Sequence, residues 1–160
     1  MGIILLSLAI PIAIIVPARI YRFINPYLDR EIAGTVTISN EWLEIKPKEP
    51  LNPERKVQYI YVLTPQPFQP DNRSWGIRFP DGSVVVPEVQ LIDQYGKLYN
   101  LKASAFSLKD RTRADVISGI GFHTQDLPQD RVYTTVRLRS DKPVEVSRII
   151  WRCYDPRDRK

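Results

Sequence analysis

Beyond residue 34 the chain alternates apolar and polar positions in short runs, separated by Pro, Gly, Asp and Asn. A period near two is the signature of β-strands. Residues 35–38 put Val36 and Ile38 on one side, and 42–45 reads as their partner strand after Ser39-Asn40. Residues 57–63, VQYIYVL, are apolar on both faces, which predicts a central strand. Residues 75–79 place Trp75, Ile77 and Phe79 inward and Arg78 outward. The turn 80–83, PDGS, leads into 84–92, where Pro87 predicts an edge or a bulge. With 97–103 these runs form a predicted three-stranded meander. Gly119 and Gly121 mark 116–122 as a strand that bends or admits a close neighbour. Residues 132–139 alternate most cleanly: Val132, Thr134, Val136 and Leu138 face one way, and Tyr133, Thr135, Arg137 and Arg139 the other. Val144 and Val146 start the last run in one phase, and Ile149, Trp151 and Cys153 continue in the opposite phase. A bulge or break is therefore expected near Ser147.

Eight or nine short strands at this spacing predict an all-β domain over 34–155, an antiparallel β-sandwich of immunoglobulin-like or jelly-roll type. No long amphipathic helix separates the strands, which argues against a parallel sheet. The expected core is Trp75, Ile77, Phe79, Leu91, Val136, Leu138, Ile149 and Trp151. The proline-rich stretches 46–53 and 64–73 read as extended loops, the second with Phe68 exposed.

The first eighteen residues, MGIILLSLAIPIAIIVPA, follow no such alternation. They hold no charged side chain, and Ser7 is the only polar one. A segment carrying Ile3, Leu6, Ile12 and Ile15 with no polar face requires lipid, a partner or removal. A single hydrophobic helix spanning the membrane needs about 17–25 residues, which 1–18 just supplies. Pro11 and Pro17 would kink it, as lipid-embedded helices tolerate. Arg19, Tyr21, Arg22, Phe23 and Tyr27 supply the cationic and aromatic belt of a headgroup interface. The alternatives are a signal segment cleaved near Ala18, although no Lys or Arg precedes Arg19, and burial in a partner subunit. Residues 19–33 show helical spacing through Ile20, Phe23, Ile24, Tyr27 and Leu28, interrupted at Asn25-Pro26, and read as an amphipathic juxtamembrane connector. Arg19, Arg22 and Arg30 draw the domain to the cytoplasmic side by the positive-inside rule; the frequent export of small sandwiches points the other way.

Composition adds one feature. The 160 residues, 43% hydrophobic and 26% charged, suit one globular domain plus an anchor. The net charge of +5 resides in 131–160, where nine Lys/Arg face four Asp/Glu, and 156–160 is a basic tail. An outward stripe of Arg137, Arg139, Arg148 and Arg152 with Tyr133 and Tyr154 is the candidate partner-binding surface. Anionic lipid headgroups or stacked single-stranded nucleic acid would also suit arginine and tyrosine, but nothing specifies a nucleic acid.

Chemistry is sparse. His123 is the lone histidine and Cys153 the lone cysteine, so a nucleophilic triad or zinc site has almost nothing to draw on. Gly119-Ile120-Gly121 lacks the remainder of a phosphate loop. Asp126 with Asp130, or Asp81 with Asp93, offer loop acids without an EF-hand pattern. No catalytic residue, cofactor or metal is expected. The expected function is a membrane-anchored, single-pass, non-enzymatic β-sandwich acting as an accessory subunit with protein partners. The alternative is an exported carbohydrate-type binding domain using Phe68, Tyr95 or Tyr133.

Overall fold

The alternating runs form strands in the structure, a computed structural model that describes residues 27–52, 57–71, 73–108, 117–123 and 127–154. Among the described residues the chain is all-β, without a helix. The strands are β1 (Tyr27–Ala33), β2 (Val36–Ile38), β3 (Leu43–Ile45), β4 (Val57–Thr64), β5 (Gln69–Asp71), β6 (Gly76–Arg78) and β7 (Val84–Val85), followed by β8 (Pro87–Asp93), β9 (Leu98–Leu108), β10 (Ile117–His123), β11 (Tyr133–Ser140), β12 (Val144–Val146) and β13 (Arg148–Tyr154).

Four nested antiparallel pairs organise them: β8 with β9, β4 with β10, β3 with β11 and β1 with β13. The chain is one long ribbon that reverses between β8 and β9. Wrapping the ribbon on itself adds the pairs β13–β4, β10–β9 and β11–β8. The product is an eight-stranded sheet in the order β1-β13-β4-β10-β9-β8-β11-β3, curled until it is nearly closed. β9 is the corner, since 98–101 pair with β8 and 102–108 with β10. β2 pairs with β12 and prolongs the β1–β13 ladder past Ser147. Ser147 donates its N–H (2.8 Å) and its hydroxyl (3.1 Å) to the Leu63 carbonyl. The last run changes phase there, as its sequence requires. The Ser140 N–H donates to Ser39 O at 2.7 Å and draws the end of β11 toward β2.

The inner face is one continuous apolar cluster. Ile60, Val62, Ile120, Phe122, Ile149, Trp151 and Cys153 meet Val89, Leu91, Tyr133, Val136 and Leu138 across it. Tyr133 and Trp151 are 0% and 1% exposed, with ring centroids 6.4 Å apart, although their strands are not neighbours in the sheet. Burial of rings this size contributes about 4–6 kcal/mol each as an upper estimate.

Several expectations change. Residues 27–33 pair with β13 as a strand, so the domain already includes Tyr27, and helical spacing there is overruled by a free sheet edge. β3 pairs with β11, not with β2. The meander is split, because β7 pairs with β6 while β8 belongs to the large sheet. Pro87 stands at that break, as a residue without an N–H should. Phe68 is half-buried and packs edge-on against Phe79, centroids 6.5 Å apart. Trp75 is not core: it has φ 56° and is 54% exposed. Its neighbour explains this, because a Cβ on Gly76 would lie 2.7 Å from the Val85 carbonyl oxygen. Bare backbone fills the inward slot, and Trp75 turns out.

Gly76→Ala must push β6 off β7 at that carbonyl. It is expected to destabilise the fold by about 1–3 kcal/mol, read as a lowered midpoint in urea unfolding; an unchanged midpoint contradicts the packing described.

Candidate interaction faces

On the outer face of β3, β11 and β8, register sets arginines opposite acids. Arg137 pairs with Glu44 and Gln90, and Arg139 with Glu88. The Arg137 Nε lies 3.1 Å from Glu44 Oε1, and Arg137 Nη1 donates to Gln90 Oε1 at 3.3 Å. Gln90 Nε2 donates onward to Asn100 Oδ1 at 2.8 Å, and Arg139 Nη2 donates to Glu88 Oε2 at 2.9 Å. Trp42, just before β3, lies under both guanidinium groups, with Cζ–centroid distances of 5.0 Å for Arg137 and 4.6 Å for Arg139. Two arginines thus meet two glutamates, and the face is electrically balanced.

The second arginine pair lies elsewhere. Arg152 on β13 clasps Asp29 of β1 through Nε at 2.6 Å and through Nη2, and Arg148 faces Glu31 at 3.8 Å. The Arg152 guanidinium is 5.4 Å from the Tyr61 centroid. Beside it, β10 has glycines where β4 has bulk. A Cβ on Gly119 would meet Leu63 at 2.4 Å, and one on Gly121 would meet Tyr61 at 2.7 Å, so both side chains lie over bare backbone. Tyr59 continues the row, edge-on to His123 with centroids 4.9 Å apart. Leu63, Ile150 and Tyr61 form a small apolar cluster on this outer face.

The predicted single stripe therefore resolves into two patches. β11 and β13 are not neighbours in the sheet, and the partners of Arg137 and Arg139 (Glu44, Gln90, Glu88 and Trp42) are distinct from those of Arg148 and Arg152 (Glu31, Asp29 and Tyr61). Tyr133 leaves the surface altogether: a register shift between Tyr133 and Thr135 returns it to the inner face, where it is fully buried. Tyr27 and Tyr154 pair with each other at the ends of β1 and β13. Ile3, Leu6, Ile12, Ile15, Arg19, Tyr21 and Arg22 lie outside the described residues. Trp42, Glu44 and Glu88 are the contributors that the alternation alone missed; the signal was acid and base at matching positions of strands whose pairing was not foreseen.

A third feature is the turn where the ribbon reverses. Asp93, 2% exposed, accepts from the N–H groups of Tyr95 (2.9 Å) and Lys97 (2.9 Å) and from the Tyr99 hydroxyl (3.1 Å), with Arg131 at 3.9 Å. Burial by itself raises the carboxyl's pKa, but these donors and the Arg131 charge outweigh it and hold Asp93 below its ordinary 3.8. Burial, then the Asp93 hydrogen bond, push the Tyr99 hydroxyl above 10.0. The tip itself is open: Tyr95 is 73% exposed under the Arg131 guanidinium (4.9 Å), and Leu98 is 39% exposed.

His123 and Cys153 lie on opposite faces of the sheet, His123 against Tyr59 outside and Cys153 in the inner cluster. Asp81 is engaged by Ser83, whose N–H and hydroxyl donate to it at 2.8 and 2.6 Å. Among the described residues no three His, Cys, Asp or Glu are grouped to hold a metal, and no helix is long and apolar enough to cross a membrane. A cleft of about 310 Å³ opens between the β6–β7 turn and the β11–β12 turn, lined by Phe79, Val85, Val144, Gln66, Lys142 and Glu145 among others. No family model matches this chain, and no curated protein or solved structure matches it.

Removal of Trp42 and Arg137 singly and together in a double-mutant cycle is expected to give a coupling of about 0.5–1 kcal/mol; additive losses contradict the stack. Asp93→Asn is expected to lower the unfolding midpoint at neutral pH. Because the folded pKa is depressed, the wild-type advantage is complete above 3.8 and shrinks as pH falls through the lower folded value. A gap that stays constant to the acid limit contradicts a charged Asp93.

Proposed function

We propose that this chain is a membrane-anchored, non-enzymatic β domain serving as an accessory or interaction subunit of a larger membrane complex. The observation that carries the reading is the uncharged run 1–18, which precedes a folded domain whose first described strand begins at Tyr27. An apolar run of that length suits a single-pass helix, and eight residues then separate it from β1. Arg19 and Arg22 favour a cytoplasmic domain.

For the domain itself we propose a jelly-roll β-sandwich. The nested pairing of β8–β9, β4–β10, β3–β11 and β1–β13 supports it. The order β4-β10-β9-β8 is a Greek key, in which the first strand lies beside the last. For partners, the balance of Arg137 and Arg139 against Glu44 and Glu88 favours a protein surface over a polyanion. A Trp clamped by two Arg is the type of residue group that anchors protein interfaces. The cleft beside Phe79 supports the second reading, an exported carbohydrate-binding domain, since an aromatic wall with a hydrogen-bonding rim suits a sugar.

Deletion of residues 2–18 is expected to move the protein from the carbonate-resistant membrane fraction to the soluble fraction. Persistent membrane association of the deleted form contradicts the anchor.

A further inference from the structure

The antiparallel alternation assigns every strand end to one of two poles. One pole holds the start of β1 (Tyr27), the end of β13, the start of β4, the end of β10, the β8–β9 turn and the start of β11. The opposite pole holds the β5–β6–β7 sheet and the turn between β11 and β12. The chain therefore enters the domain at the pole that carries the β8–β9 tip, and Tyr27 and Tyr154 pair there. That tip presents Tyr95 and Leu98, two of the three exposed large hydrophobics among the described residues.

Charge divides along the same axis. In the described loops at the entry pole, 46–52, 94–97 and 127–132, Lys46, Lys48, Lys97 and Arg131 outnumber Glu49 and Asp130, and Asp93 at the root of the β8–β9 turn lies 3.9 Å from Arg131. In the described chain at the far pole, 34–42, 65–71, 73–86 and 141–147, with the short strands β2, β5, β6, β7 and β12 included, five acids (Glu41, Asp71, Asp81, Asp141 and Glu145) outnumber Arg73, Arg78 and Lys142. Among the described residues, bases outnumber acids where the chain enters and acids outnumber bases at the other end. A tyrosine and a leucine at the tip of a pole whose described bases outnumber its acids are suited to a headgroup layer, where an amphipathic ring sits at the interface and nearby Lys or Arg side chains are drawn to anionic lipid.

We propose that this pole rests end-on on an anionic lipid surface, with Tyr95 and Leu98 in the interfacial layer and Lys46, Lys48 and Lys97 over the headgroups. The inference rests on the membrane reading above and deepens it. Eight residues, 19–26, lie between the apolar run and β1, so even fully extended they hold Tyr27 within about 32 Å of the run's end. The acidic pole, with the cleft and Trp75, then faces away from the bilayer and stays open to a partner.

The test uses the full chain reconstituted into phosphatidylcholine vesicles containing phosphatidylglycerol. A polarity-sensitive fluorophore is placed at Tyr95→Cys or, on the far pole, at Glu145→Cys; Cys153 is buried and stays unlabelled. Lipids bearing a headgroup nitroxide are expected to quench the label at 95 several-fold more than the label at 145, with a blue-shifted emission at 95. Equal quenching at both sites in vesicle-bound protein overturns the end-on geometry while leaving the anchor standing. A label at 95 that is blue-shifted yet unquenched also overturns it, in favour of a protein contact. Failure of the protein to co-float with vesicles sinks the membrane reading and this inference together.

Discussion

Asp93 accepts three hydrogen bonds inside the one turn at which the ribbon reverses, and the pairing of every later strand counts back from that turn. β8 and β9 are set in register by it, and β4–β10, β3–β11 and β1–β13 follow outward along the same ribbon. A buried carboxylate is costly unless every lone pair is engaged. Here the engagement also reaches the core: Tyr99 donates to Asp93, stands edge-on to Tyr133 with centroids 5.6 Å apart, and Tyr133 in turn meets Trp151. A charged group at the rim is thus linked through three rings to the centre of the inner face.

The curling of the sheet decides what each face can be. Its inner face closes on itself and must be apolar, so the outer face receives the charged side chains of the same strands. Among them Arg137, Arg139, Arg148 and Arg152 each meet an acid on a neighbouring strand. Surface pairs of this kind contribute about 0–1 kcal/mol each, so they fix register and surface chemistry more than stability. Where the outer face is apolar, at Leu63 and Tyr61, glycines on β10 supply the room. The overall net charge of +5 is therefore a poor guide to the surface. Balanced patches lie on the flanks, and the described chain at the two poles differs in the sign of its charge.

Much of the fold was legible from alternation. The central run 57–63, the slip at Ser147 and the break at Pro87 are all physical consequences of local sequence, and six of the eight expected core residues are buried. The failures share a cause, which is information held by a non-neighbouring segment. Trp75 looks inward until Gly76 is known to lie against Val85, and Tyr133 looks outward until the bulge after it is known. Tyr27–Ala33 has helical spacing, but β13 offers it an open edge. The arginine stripe reads as one surface because its residues are close in sequence, whereas β11 and β13 are not neighbours in the sheet and each arginine pair has its own partners. Site chemistry depends on such placements, so the candidate faces were less legible than the strands.

The central claim is that an apolar anchor holds a folded domain at a membrane. The most direct measurement is the intact mass of the protein extracted from its native membrane, read together with its migration on a native gel. The account predicts a mass that includes residues 1–18, within an assembly much larger than the 18.5 kDa chain. A free monomer whose mass begins at Arg19 would contradict it.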